Sequence, residues 1–131
     1  MLAPKNIGNS FYMIEEILNR YESFSDSLIS KICYERSNQN DGKIEVFIRC
    51  MNAYNDYQFE SIKLVLTDVI EFRLIENNPF SALVVNSALL IKQDDFIIID
   101  FFPDIFNEGL KLNSESDFMI RAKGINYQVL K

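Results

Sequence analysis

The side chains of this chain that are able to do chemistry are carboxylates, tyrosines and two cysteines, because it contains no histidine. That single absence removes the commonest general base, the Ser-His and Cys-His pairs, and the commonest transition-metal ligand. Its four glycines, Gly8, Gly42, Gly109 and Gly124, are scattered, so neither a dinucleotide fingerprint nor a Walker A loop is present. A carboxylate pair is what remains for an enzyme, drawn from Asp94, Asp95, Asp100 and Asp104. Asp100 and Asp104 flank apolar residues, where burial raises a carboxyl pKa and makes an acid or base. The same positions suit carboxylates at strand ends, and nothing else converges on them. The expectation is a chain without catalytic residues, metal or cofactor; the acidic stretch lacks the ordered loop of a calcium hand.

Two segments suit binding better than catalysis. Residues 94–117 hold Asp94, Asp95, Asp100, Asp104, Glu108, Glu115 and Asp117 against one base, Lys111. If these carboxylates share a surface they attract a basic protein partner; otherwise they keep a loop wet. Tyr54, Tyr57 and Phe59 surround Asn55 and Asp56, and tyrosine offers contact area together with a hydroxyl. The expected contact residues are therefore Tyr54, Asp56, Tyr57, Asp94, Asp95, Asp104 and Glu108. A reading from another class is a small-ligand-binding or catalytic domain, with phenylalanine-rich strands lining an apolar pocket and Asp100 or Tyr127 as polar anchor. A third is a structural subunit of a homo-oligomer, since a strand such as residues 96–102 needs covering if it lies at a sheet edge.

The elements that must position these groups follow from composition and periodicity. At 131 residues and 15.3 kDa the chain fits a single domain over residues 1–131. Hydrophobic residues make up 48% and charged residues 24%, ordinary values for a chain that folds. Eleven Phe and six Tyr, with no Trp, favour pleated surfaces. With 13 basic and 19 acidic residues the net charge is -6, which lacks the positive footprint of a nucleic-acid binder. Cys33 and Cys50 have no paired spacing and read as buried thiols. The first ten residues carry no apolar stretch of signal-peptide length and no later run reaches a membrane span, which points to the cytoplasm.

Over residues 10–22, Phe11, Ile14, Leu18 and Tyr21 recur at helical spacing, with Asn9 or Ser10 able to cap and Glu15 and Glu16 close to the positive end of the dipole. Residues 28–36 alternate, with Leu28, Ser30, Ile32 and Tyr34 on one side. Asp41-Gly42 turns this strand into Ile44, Val46, Ile48 and Cys50, giving a hairpin. Ile62 to Leu74 keep one parity except at Asp68, which predicts a long strand bent or bulged there with its apolar set on one face. Asn77-Asn78-Pro79 is a turn signal. Residues 83–91 read as strand or buried helix, Gln93-Asp94-Asp95 as a turn into a strand over 96–102, and 103–116 as a loop. Two closing strands, 118–122 and 125–130, flank a turn at Lys123-Gly124. The fold class predicted is α+β, one N-terminal helix packed on a largely antiparallel β-sheet or partly closed β-roll of six to eight strands.

The run FESIKLVLTDVIEFRLIE, residues 59–76, with a helix and hairpin before it and DDFIIIDFF after it, resembles small bacterial β-rich immunity-type proteins of polymorphic toxin systems. The resemblance spans residues 27–130 as a cadence of apolar residues and turns, so it carries over no individual residue. It implies a non-catalytic protein that neutralises a cognate toxin by binding it, often through an acidic surface.

Overall fold

The computed structural model describes residues 7–36, 42–75, 83–106 and 109–130. Among the described residues one α-helix, α1 (Ile7–Tyr21), precedes nine strands: β1 (Ser27–Arg36), β2 (Gly42–Asn52), β3 (Gln58–Leu74), β4 (Leu83–Val85), β5 (Leu89–Gln93), β6 (Phe96–Asp100), β7 (Asp104–Phe106), β8 (Gly109–Lys111) and β9 (Phe118–Val129). Seven strands form one curled sheet in the order β4-β1-β2-β3-β9-β6-β5, while β7 and β8 make a separate two-stranded ribbon. Every pairing is antiparallel. The architecture is thus α+β, with the helix packed on an antiparallel half-barrel.

The core lies between α1 and one face of this sheet. Ile44, Val46, Ile48 and Cys50 on β2, and Ile62, Leu64 and Leu66 on β3, are buried at alternate positions, as the period of two demands. From the helix come Ile14, Ile17 and Tyr21. Ile17 belongs to the buried stripe, although the expected stripe ran through Leu18, which is half-buried. The helix begins at Ile7, so Asn9 and Ser10 lie inside its first turn and are not its cap. Glu15 and Glu16 sit beyond the second turn, outside the reach of the N-terminal dipole.

Three further expectations are corrected by bulges and close approaches. A register shift between Ile29 and Lys31 sets Ser30 apart, so Ile29 is buried while Leu28 is 42% exposed. The predicted side of Leu28, Ser30, Ile32 and Tyr34 is therefore divided between the two faces. The kink at Asp68 is present, with φ of 54° and a register shift between Val69 and Glu71. Its consequence differs from the one expected: Val69 and Phe72 pack on the core while Ile70 turns outward. Lys123-Gly124 is not a turn, because β9 runs unbroken past it. Gly124 is opposite Thr67, and a Cβ there would lie 2.6 Å from the Thr67 hydroxyl oxygen, so the glycine permits strand proximity.

Residues 83–91 contribute two short strands rather than a helix, and β6 ends at Asp100. Since β6 lies between β5 and β9, it is not the edge strand that would need a second copy to cover it. The expected loop over 103–116 contains the β7–β8 ribbon, whose three-residue strands are too short to show periodicity. Asp41 and Asn77-Asn78-Pro79 lie outside the described residues. No helix among the described residues is long and apolar enough to cross a membrane.

Candidate protein-contact site

The β2–β3 corner joins exposed aromatic rings to a part-buried polar network. β2 ends at Asn52, a 3-10 turn covers Ala53–Asn55, and Asp56 and Tyr57 then take left-handed conformations with φ of 53° and 59°. A tyrosine in that region is strained, and such strain persists only where surrounding contacts impose it. Here the Asn52 carboxamide imposes it. Its Oδ1 accepts the Tyr54 N–H at 2.8 Å, its backbone carbonyl accepts the Tyr57 N–H at 2.9 Å, and its Nδ2 donates to Glu60 Oε2 at 3.1 Å.

Glu60 and Cys50 are cross-strand partners on the helix side, which brings the Glu60 carboxylate to the C-terminal end of α1. Tyr21, fully buried, donates its hydroxyl to Glu60 Oε2 at 2.6 Å. A second carboxylate repeats the pattern one turn back along the helix: Glu16 Oε2 accepts the Tyr127 hydroxyl at 2.8 Å and Arg20 Nε at 2.9 Å. The two tyrosine rings meet edge to face, 5.6 Å apart. Arg20 then lies over the Tyr54 ring at 4.7 Å, closing a path from the sheet through the helix to the loop.

The electrostatics keep the tyrosines protonated as donors and Glu16 ionised as their acceptor. Burial, and then the hydrogen bond to Glu60, raise the Tyr21 pKa far above its usual value, so it stays a donor. Burial likewise raises Tyr127, with Glu16 adding to it. The Tyr127 and Arg20 hydrogen bonds hold the Glu16 carboxyl below its usual range. Burial pushes the Cys50 thiol up to about 12, which keeps it protonated and unreactive at neutral pH. Both cysteines are free.

On this base stand Tyr54, 58% exposed, Tyr57, 53% exposed, and Phe59, 45% exposed. Asp56 is exposed among them. Rings fixed in place before contact lose little entropy on binding, and aromatic residues beside arginine have the composition of an interface hot spot.

Of the acidic residues expected as contacts, three are separated by the length of β6. Asp94 and Asp95 form the β5–β6 turn, Asp94 with φ of 57°, at one end of β6, whereas Asp104 opens β7 beyond the other end. Asp100 is buried between them, and its two oxygens accept the Phe102 and Asn113 N–H groups at 3.0 and 2.9 Å. It organises a loop through these two bonds. Glu108 lies outside the described residues. Among the described residues no cluster of metal-ligating side chains occurs. Sequence reasoning missed Glu16, Glu60, Asn52 and Tyr21; Asn52 at a strand end before a tyrosine was the only local signal. Comparison with protein families, curated proteins and solved structures finds no match for this chain.

Proposed function

We propose that this chain is a non-catalytic protein-binding domain of the immunity type, whose β2–β3 corner grips a cognate toxin. The observation that carries the reading is that exposed Tyr54 and Tyr57, with Phe59 beside them, stand on a turn held by the Asn52, Glu60 and Tyr21 network. The Tyr21 and Tyr127 hydroxyls are committed to the Glu60 and Glu16 carboxylates, which favours a holding role for this network over a reacting one. A net charge of -6 favours a partner that is basic overall, whose approach it accelerates. The domain acts in the cytoplasm, where Cys33 and Cys50 remain thiols.

The test is to purify this chain with the product of the adjacent reading frame, as wild type and as a Tyr54→Ala, Tyr57→Ala, Phe59→Ala variant. A complex with the wild type that relieves toxicity, and loses at least about tenfold in affinity in the variant, is expected. Equal binding by a variant with unchanged circular dichroism sinks the assignment of the corner. Turnover of a small substrate by the purified chain sinks the non-catalytic reading.

A further inference from the structure

The face of the sheet turned away from α1 carries a charge opposite to that of the chain as a whole. The alternation of β2 and β3 turns Arg49 and Lys63 outward, and the bulge at Ser30 adds Lys31: Leu28 pairs with Arg49 and Lys31 with Phe47, so two β1 residues three positions apart point outward together. Across the strands, Val84, Leu28 and Arg49 form one row, and Lys31, Phe47 and Lys63 another. Met51 and its partner Phe59 extend this face toward the corner. Leu28, Val84 and Phe59 are 42%, 55% and 45% exposed.

These rows hold three cations and no carboxylate, in a chain of net charge -6. Arg49 lies 5.6 Å from the Phe59 ring centre and Lys31 5.1 Å from that of Phe47. Neither forms an ion pair with a described residue. The nearest acidic row begins at Glu45, which is occupied by Lys63 at 3.2 Å and Lys43 at 3.9 Å. Two cations without counter-ions beside exposed Leu28 and Val84 match a ligand that is both anionic and apolar.

We infer that the outer face of β4-β1-β2-β3 docks an acidic, apolar-rich peptide segment of the protein partner. A second copy of the chain fits poorly, since a two-fold contact sets these cations against each other. The area also argues for a segment: with strands about 4.8 Å apart and about 3.3 Å per residue, the patch covers roughly 300 Å². A stable protein–protein interface needs about 800 Å² on each side. Aliphatic Leu28 and Val84 suit leucine-like side chains better than stacked bases, and the two phenylalanine rings already carry cations.

This inference rests on the protein-binding reading but is tested apart from it. The full chain, labelled for amide NMR, is titrated with a short peptide alternating Glu and Leu. Controls are a Lys/Leu peptide, a Glu/Ser peptide, an oligothymidylate and phosphatidylserine vesicles. Expected are shifts at Leu28, Lys31, Phe47 and Arg49 with the Glu/Leu peptide alone, and an affinity loss of about tenfold or more in Arg49→Glu, Lys31→Glu. The milder Arg49→Gln, Lys31→Gln pair is expected to weaken binding less, at unchanged Tm. Absent shifts, shifts confined to other faces, equal binding of the Lys/Leu or Glu/Ser peptide, or tighter binding of oligonucleotide or vesicles at this face each overturn it. Tyr54→Ala with Tyr57→Ala leaves peptide binding intact. Peptide binding without a corner-dependent toxin complex therefore defeats only the function proposed above, and the converse defeats only this inference.

Discussion

Two loops of this molecule are held by buried carboxylates or carboxamides, and they are held for different ends. At the β2–β3 corner, Asn52 and Glu60 reach side chains of the helix, so the loop, α1 and β9 share one network, and the outcome is a set of exposed aromatic rings. At the opposite end of the sheet, Asp100 and Asn113 bind backbone. Asp100 accepts from Phe102 and Asn113, Asn113 Nδ2 donates to the Phe102 carbonyl, and Arg73 donates to the Ser114 and Ser116 carbonyls. That loop closes over stacked Phe101 and Phe118, 4.5 Å apart, and satisfies its own polar groups. Hydrogen bonds to backbone fix a chain path, while bonds between side chains couple elements and can present a surface. A buried aspartate is therefore no evidence of chemistry until its oxygens have been accounted for.

The substitution expected to do most damage breaks the second loop. Asp100→Ala removes a buried carboxylate and leaves the two part-buried N–H groups that now meet it without their acceptor, at a cost of about 3 kcal/mol, or a Tm lowered by about 10 °C. Binding at the corner, measured by calorimetry below the lowered Tm, is expected to be unchanged. A protein that stays as stable as wild type would show that Asp100 does not organise the loop, and altered binding would join the two regions.

Tyr21→Phe sharpens the contrast from the other side. The ring keeps its contacts with Phe24 and Tyr127, but Glu60 loses its 2.6 Å donor at a cost of about 1.5 kcal/mol. Here the smaller stability loss is expected to come with weaker partner binding, because Glu60 also orients Asn52 and hence the turn. Stability loss with unaltered affinity would reduce the network to a fastening of helix on sheet.

How much of this was legible along the chain depends on whether the deciding contact was local. The alternation of Ile44, Val46, Ile48 and Cys50 named the buried face of β2 directly, and Asp68 marked the kink in β3 because it interrupts an apolar parity. The bulge at Ser30 left no such mark: the adjacent Leu28 and Ile29 offer an apolar residue to either face, and the parity flip appears only in the pairing with β2. The aromatic triplet at residues 54–59 was visible, but its fastening was not. Tyr21 and Glu60 are 39 positions apart, and Glu16 and Tyr127 are 111 apart, so only helix docking and strand register bring them together. The acidic stretch shows the opposite case, because Asp94 and Asp95 are carried to one end of β6 and Asp104 beyond the other.

A substitution outside both loops supplies a control. Gly124→Ala places a Cβ 2.6 Å from the Thr67 hydroxyl oxygen, which is able to rotate away, so a loss of about 1 kcal/mol is expected without a change in binding. In a Thr67→Ala background the loss should vanish, and a cycle showing no coupling would mean that the strand itself rejects the methyl group.

The smallest expected effect tests whether the helix is electrically part of the corner. Tyr127 and Arg20 hold the folded Glu16 carboxyl below its usual 4.5, so the unfolded chain takes up this proton more readily than the folded one. Its stabilisation is complete above the unfolded pKa and fades as pH falls through the lower folded value. Glu16→Gln is therefore expected to lower Tm by an amount that is constant from neutral pH to about pH 5 and shrinks toward pH 3. Because the Glu16–Arg20 pair is partly solvated, with side chains 30% and 28% exposed, the whole contribution stays below about 1 kcal/mol. The same variant frees Arg20, which now bridges Glu16 and the Tyr54 ring, so partner affinity should weaken in the pH range where stability does. A Tm gap that ignores pH would leave Glu16 without an ionised role, and with it the link between α1 and the exposed rings would reduce to packing.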